Sequence, residues 1–523
     1  MVIGDLLLGN ATKTPDKTAI ICWESGLQFS FKEFNGRVNS ITNALFSLGV
    51  GKGERVAVLQ QNCHYYPELY FAAAKGGMVI VPLNFRSVGR ELVYFIENSG
   101  ANTLILGEEY LELISPIKKD LPGVKNFIII GRPTQDMESY EDLVDSHSTD
   151  EPSMDVDEQD LIAIIYTSGT TGVPKGTMIS HKNWISNARN AIATLNFRED
   201  DITLHITPFF HAAPVWPMLS HMYVGGCNVL IKRFDAKTAL EVIERVKITT
   251  INTLPIMILR LLNYPQLKKY DISSLRLISY GGAPMPFELL KEAMKTFGHI
   301  FAQVYGLTES GPLITCLLQE DHILEGPLEK INRITSCGKG VVNVEVRVVN
   351  EKGETVQPGE VGEITARGDT MMKGYWKMKE ATEETMRDGW LHTGDMARVD
   401  EDSYIYIVDR KKDMIISGGE NIYSREIENV IYSHPSVQEV AVIGIPDGEW
   451  GEVVLALIVP KEGEVILEEE IIDFCKKHLA GYKKPKKVEF LKYLPRTESG
   501  KIWKKELKEK YQRNGGVLGV LEV

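Results

Sequence analysis

The apolar run Leu161–Tyr166 leads straight into Thr167-Ser168-Gly169-Thr170-Thr171-Gly172-Val173-Pro174-Lys175-Gly176. No other stretch constrains the chain as tightly. Glycines let a backbone turn sharply after a strand and bring its N–H groups against an anion. Four hydroxyls add donors and Lys175 adds a charge, a combination that suits a triphosphate. The plain alternative is a Gly/Ser/Thr surface turn, and the density of hydroxyls and glycines ahead of a lysine argues against it. A Walker loop needs Gly before its Lys and Ser or Thr after it; here Pro174 and Gly176 flank Lys175. The stretch Gly49-Val50-Gly51-Lys52-Gly53-Glu54 fails the dinucleotide pattern at Glu54 and precedes a strand, so it reads as a helix-to-strand turn.

Around this loop, strand-like and helical patterns alternate. Arg55–Leu59 follows the amphipathic Phe34–Leu48, and Val79–Pro82 follows Pro67–Lys75. Thr103–Leu106, Asn126–Ile130, Asn228–Ile231, Thr249–Leu254 and Leu275–Tyr280 read as further strands, with a helix over Ala236–Val246. Such alternation predicts an α/β fold with parallel sheets. Residues 148–160 are acidic and read as an exposed loop. From Ser336 the turns multiply between Gly338–Val349 and Gly362–Arg367, which predicts a small β-barrel-like or antiparallel piece. A last α+β unit begins near Asp409, with strands Met414–Ile416, Val437–Ile445 and Val453–Val459 and helices Arg425–Ser433 and Glu468–Leu479. A chain of 523 residues has room for about three domain-sized units.

The totals exclude several classes. With 58 basic against 71 acidic residues the net charge is −13, which does not suggest nucleic acid as a partner. Lysines crowd the C-terminal end; the plain reading is solvated faces alternating with Glu, the sharper one a local field that attracts polyphosphate. Six scattered cysteines without a C-x-x-C pair predict neither a disulfide framework nor a zinc site, and fit a reducing compartment. Met1–Pro15 lacks the features of a signal peptide, and no apolar stretch is long enough to span a bilayer. A cytoplasmic protein is expected.

Eight further motifs follow the loop in order: Pro208-Phe209-Phe210-His211, Gly281-Gly282-Ala283-Pro284, Tyr305-Gly306-Leu307-Thr308-Glu309, Gly374-Tyr375-Trp376, Trp390-Leu391-His392-Thr393-Gly394-Asp395, Asp409-Arg410-Lys411-Lys412-Asp413, Ser417-Gly418-Gly419-Glu420-Asn421-Ile422 and Pro495-Arg496-Thr497-Glu498-Ser499-Gly500-Lys501. Together they cover nearly the whole chain, which resembles the adenylate-forming superfamily of acyl-CoA synthetases, luciferases and peptide-synthetase adenylation domains. The resemblance is to its AMP-forming acyl-CoA ligase branch. It implies a large N-terminal domain over residues 1–411 and a small mobile C-terminal domain over 412–523. It also implies ATP, Mg²⁺ and coenzyme A as cofactors. A carboxylic acid would attack the α-phosphorus of ATP, and coenzyme A would then take the acyl group from the adenylate. Partners are small molecules, with no nucleic acid and no membrane span; a homodimer is left open.

By the same resemblance, Thr167, Ser168, Gly169, Thr170, Thr171, Gly172 and Lys175 bind phosphates. Gly281, Gly282, Ala283, Gln303, Tyr305 and Gly306 receive adenine, with Tyr305 stacking and Gln303 hydrogen-bonding. Thr308 contacts phosphate, Glu309 is the metal ligand and Thr170 stands near the metal; taken alone, a Thr-Glu pair is more often a helix cap. Asp395 and Arg410 hold the ribose, although Asp395 by itself reads as a turn residue after Gly394. Lys501 is the adenylation lysine, where an isolated lysine would be an idle surface charge. Lys412 is the hinge, and Ser417, Gly418 and Gly419 line the coenzyme A channel. His211 gates the acyl pocket, where a lone histidine is usually structural.

The acyl pocket would be built from His211, Ala212, Ala213, Pro214, Val215, Trp216, Pro217, Tyr280, Gly306, Leu307, Pro312, Leu313 and Ile314. None carries the acid that a buried substrate ammonium would need. Ala213 and Gly306 leave room, so a medium-chain, cyclic or aryl acid is expected, while Trp216 would equally shorten the pocket. Two rivals remain. One is adenylation with a different acceptor, against which the short tail after Lys501 leaves no space for a carrier domain. The other is a non-catalytic nucleotide-binding module, against which Lys501, Glu309 and the loop are all present.

Overall fold

The structure is a computed structural model in which residues 1–167, 173–496 and 502–513 are described, with side chains to Tyr511. The chain separates into two compact units. The first comprises Met1–Pro284, Glu292–Val346 and Ala366–His392; the second comprises Met285–Lys291, Arg347–Thr365 and Thr393–Val523.

Two large sheets dominate the first unit. One has nine strands in the order Lys339–Gly340, Thr315–Leu317, Phe301–Tyr305, Leu277–Gly281, Thr250–Thr253, Ile202–His205, Cys227–Leu230, Thr18–Cys22, Leu27–Ser30. From Phe301–Tyr305 to Thr18–Cys22 neighbouring strands run parallel, with antiparallel strands at both edges. The other sheet has eight strands in the order Gly374–Tyr375, Lys175–Ser180, Leu161–Thr167, Val79–Pro82, Arg55–Leu59, Thr103–Gly107, Asn126–Ile130, Glu138–Ser139. The central strands of both are sealed from water, as parallel strands covered on both faces should be. The alternation in the sequence therefore forms the α/β architecture it predicts. The turn-rich stretch after Ser336 contributes Glu345–Val349 and Val361–Arg367 to a smaller five-stranded sheet with Trp390–Val399, Met386–Arg387 and Ile405–Arg410.

In the second unit, Glu420–Ile422, Ile415–Ser417, Gly451–Pro460 and Val437–Asp447 form an antiparallel array, and Lys487–Phe490 pairs parallel to Gly451–Pro460. Helices Ser424–Tyr432 and Glu468–His478 bury Ile427, Ile431, Ile471 and Cys475 against this sheet.

The first long helix runs Phe31–Ser47, three residues earlier than the apolar pattern alone places its start. The cause is a reciprocal cap. Glu33 N donates to Ser30 Oγ at 3.2 Å, and Ser30 N donates to Glu33 Oε2 at 2.8 Å, satisfying two otherwise open donors. Across this helix lies the acidic segment after His147. Ser40 Oγ donates to His147 O, Asn43 Nδ2 to Ser148 O and Asp150 O, and Asn39 Nδ2 to Thr149 O. Lys75 Nζ reaches Glu151 Oε2 at 2.7 Å. The loop expected at 148–160 has no regular structure, but its path is fixed.

All six cysteines are free. Among the described residues no helix is long and apolar enough to cross a membrane.

Five histidines are buried in the first unit, and burial lowers the pKa of each, His64 among them. Burial pushes His181, His221 and His322 down to about 4 and His205 to about 3. In the unfolded chain these rings bind protons below pH 6.5, whereas in the fold they stay neutral to about pH 4. The unfolded state therefore binds more protons in that window, and stability falls as pH drops through it. The thermal midpoint should decline from pH 6.5 to 4, and less steeply in His205→Gln. A midpoint flat across that range would contradict the buried neutral rings.

Candidate active site

The parallel strands of the nine-stranded sheet finish at one edge, and three of the motifs leave from it. Ile202–His205 runs on to Pro208-Phe209-Phe210-His211, Leu277–Gly281 into Gly282-Ala283, and Phe301–Tyr305 into Gly306-Leu307-Thr308-Glu309. In open parallel sheets such carboxyl ends are where ligands bind.

Gly281 and Val304 are register partners on adjacent strands, and a Cβ added at Gly281 would collide with the Val304 carbonyl oxygen. Gly306 is equally confined, against the Pro312 carbonyl. Gln303 and Tyr305 are half-buried. Thr308–Ser310 forms a single 3₁₀ turn, closed by Gly311 at φ +79°. It is not the helix cap that the Thr-Glu pair alone suggests.

Glu309 has a partner that its motif did not reveal. The Tyr375 hydroxyl donates to Glu309 Oε1 at 2.8 Å. The Lys175 ammonium lies over the face of the same ring, 4.8 Å from its centroid. Tyr375 is set in place by strand pairing with Thr177, and its N–H donates to Thr382 Oγ1 at 2.8 Å. Burial and the Glu309 carboxylate push the phenol far above its usual value, so it stays a proton donor. The signal in the sequence is the Gly374-Tyr375-Trp376 motif, whose spacing gives the tyrosine no partner. Leu161–Thr167 and Lys175–Ser180 pair antiparallel, so Thr167 stands opposite Lys175. Ser168, Gly169, Thr170, Thr171, Gly172 and Lys501 lie outside the described residues.

His211 is half-buried, its ring 4.1 Å from that of Phe210, and it precedes the helix Ala212–Val224. Ala213, Gly306, Leu307 and Pro312 are half-buried, while Ala212, Trp216, Pro217 and Leu313 lie in the interior. The Trp216 ring packs 6.2 Å from Phe197. Tyr280 is fully buried, and its hydroxyl donates to His322 Nε2 at 2.9 Å. Burial keeps His322 neutral, outweighing the opposite pull of the Leu318 carbonyl, to which Nδ1–H donates at 2.7 Å.

In the second unit, Asp395 and Arg410 are register partners, with Arg410 Nε 2.9 Å from Asp395 Oδ1. The carboxylate is buried and the guanidinium half-exposed. Lys508 Nζ donates to Lys412 O at 3.2 Å. Gly418 and Gly419 both have positive φ, +60° and +85°. Gly418 N donates to Trp450 O at 2.8 Å, while Gly419 has no neighbour within 4 Å of the Cβ position.

The chain matches the family model described as AMP-binding enzyme over residues 8–376, and the AMP-binding enzyme C-terminal domain over 426–501. It belongs to the AMP-binding enzyme family. A feruloyl-CoA synthase of Amycolatopsis sp is 38% identical over 510 residues, covering 97% of this chain and 99% of that protein. A long-chain-fatty-acid–CoA ligase of Mycobacterium tuberculosis is 35% identical over 512 residues, covering 97% and 98%. Among solved structures, an anthranilate CoA ligase in complex with anthranoyl-AMP superposes with a TM-score of 0.90 at 29% identity, over 99% of this chain and 98% of that one.

Replacing Gly281 by alanine forces its Cβ into the neighbouring strand's backbone. We expect Gly281→Ala to lose about 1–3 kcal/mol of stability, measured by denaturant unfolding. Unchanged stability would mean that the two strands part freely at this edge.

Proposed function

We propose that the chain is an AMP-forming acyl-CoA ligase, with an aryl or medium-chain carboxylic acid as its substrate. The observation that carries the residue assignments is the Lys175–Tyr375–Glu309 constellation at the strand edge. It places a cation and an acid, the two charges that a magnesium–triphosphate needs, on either side of one phenol.

A carboxylate is already a nucleophile, so no side chain has to remove a proton. The site has to bring two anions together and offset the charge that develops. Thr167, Ser168, Gly169, Thr170, Thr171, Gly172 and Lys175 are assigned to the phosphates, together with Thr308. Gly281, Gly282, Ala283, Gln303, Tyr305 and Gly306 are assigned to adenine, and Asp395 and Arg410 to the ribose.

Glu309 suits Mg²⁺: one oxygen accepts from Tyr375, and among the described residues no hydrogen bond engages the other. Among the described residues no set of three or more His, Cys, Asp or Glu side chains forms a metal cage, and this ion takes one or two protein oxygens beside phosphate and water. Bound with the nucleotide, Mg²⁺ supplies neutralisation of phosphate charge. Thr170 is assigned beside it.

Lys501 is assigned to bridging the acyl carboxylate and the α-phosphate. Lys412 is assigned as the hinge between residues 1–411 and 412–523, letting the C-terminal domain present Lys501 and then Ser417-Gly418-Gly419 in successive half-reactions. His211 is placed at the pocket mouth. Ala213, Gly306, Leu307 and Pro312 form its walls, with Ala212, Trp216, Pro217, Tyr280 and Leu313 behind them. No charged side chain is among them, which favours an uncharged acyl group. The names of the feruloyl and anthranilate enzymes favour an aryl acid. Free, mostly buried cysteines favour the cytoplasm.

AMP release across a panel of aryl and aliphatic acids, with and without coenzyme A, tests the reading. Release that needs both an acid and coenzyme A supports it, whereas acid-dependent pyrophosphate exchange indifferent to coenzyme A would assign another acceptor. Lys501→Ala should slow adenylation by on the order of 100-fold and spare thioester formation from preformed acyl-adenylate; equal loss of both refutes its role. Gly419→Trp should do the reverse. Tyr375→Phe should raise the Mg²⁺ concentration needed for half-maximal ATP binding by roughly three- to tenfold, read by calorimetry; an unchanged requirement removes the phenol from the site.

A further inference from the structure

The helix Ala212–Val224 begins directly after His211 and carries Pro217 in its interior. Proline has no N–H, so the Ala213 carbonyl, four residues back, loses its regular helical donor. A side chain from the sheet supplies one instead: Asn252 Nδ2 donates to Ala213 O at 3.2 Å. Ser279, the register partner of Asn252 on the next strand, donates through Oγ to Asn252 Oδ1 at 3.0 Å. That bond turns the amide so that its NH₂ faces the helix.

The same strand face makes a second stitch. Thr250, two residues before Asn252, lies with Oγ1 2.9 Å from His221 Nε2, while His221 Nδ1 is 2.7 Å from Pro217 O. Burial keeps this ring neutral, so Nδ1–H serves the Pro217 carbonyl and Nε2 accepts the Thr250 proton. The strand thus holds the helix at Ala213 and, two turns on, at His221. Upstream, the buried Asn62 donates from Nδ2 to Thr207 O at 2.9 Å and accepts the Phe209 N–H on Oδ1 at 2.9 Å. The segment from Thr207 to Ala213 is therefore clamped at both ends by asparagine amides, with His211 between them.

We infer that Asn252 is a positioning residue for acid selection: it replaces the N–H that Pro217 lacks and thereby fixes the helix start that carries Ala213 and follows His211. The inference rests on the ligase reading above. Asn252 and the helix start lie on elements other than those that carry Gly281, Tyr375 and Glu309, so Asn252→Leu alters the fit of the acid and leaves the nucleotide alone.

The test uses Asn252→Leu, which keeps the volume and removes the donor, assayed with one aryl and one short aliphatic acid that the unaltered protein accepts. KM for the preferred acid should rise roughly five- to tenfold. The ratio of kcat/KM between the two acids should shift, and KM for ATP should stay within about twofold. Pro217→Ala restores a backbone N–H opposite Ala213 O, so the effect of Asn252→Leu should shrink markedly in the Pro217→Ala background, whatever Pro217→Ala does alone. An equal fall for both acids, or an undiminished effect in that background, overturns the inference. Where Asn252→Leu does not fold, Ser279→Ala releases the amide without removing it and should shift the same ratio; an unshifted ratio counts against the inference. Failure of the unaltered protein to release AMP with any acid overturns instead the ligase reading beneath it.

Discussion

Parallel strands can only pair in register if their ends line up, and in the nine-stranded sheet that alignment does most of the organising. Ile202–His205, Thr250–Thr253, Leu277–Gly281 and Phe301–Tyr305 lie side by side, fixed by pairs such as Asn252 with Ser279 and Tyr280 with Gln303. A slip by one residue would turn every side chain to the opposite face. Tyr280 would lose His322, Asn252 would lose Ser279, and Gly281 would no longer meet the Val304 carbonyl at the one place where no side chain fits. Residues far apart in sequence reach a common edge because the sheet has a single register that buries Ile251, Ile278 and Ala302.

Much of this was legible in the sequence. Arg55–Leu59, Val79–Pro82, Asn126–Ile130 and the helix Ala236–Val246 appear with the bounds that their patterns imply, because short apolar runs between polar turns leave little choice of limits. The helix Phe31–Ser47 starts ahead of its first apolar repeat because Ser30 and Glu33 spell a capping box, which an apolar pattern does not register. The helix Ala212–Val224 leaves no such mark in the sequence. Two internal-looking prolines, Pro214 and Pro217, argue against a helix, and the compensation for Pro217 comes from a strand some 35 residues away in the chain. Local rules see the missing donor but not its replacement.

The site divides in the same way. Motif residues such as Thr308 and Glu309 were recognisable because the motif preserves their spacing. Tyr375 and Asn252 were not, because their roles depend on contacts with Glu309 and Ala213 that only the fold creates. Trp216 and Tyr280, read from sequence as pocket lining, also carry contacts that apolar character alone does not reveal: their rings pack with Phe197 and Phe301.

The segment after His147 is anchored in an unusual way. Ser40, Asn39 and Asn43 bind the carbonyl oxygens of four successive residues, His147 to Asp150, and only at Glu151 does a side chain take over, held by Asn35, Asn39 and Lys75. A carbonyl is the same whatever residue carries it. Substitutions at Ser148 or Thr149 therefore leave the anchoring untouched, whereas a single insertion or deletion would put every carbonyl out of phase with its donor. Residues 148–150 should drift freely in composition among related chains while the connection holds its length and its acid at Glu151, the reverse of the usual pattern for an exposed loop.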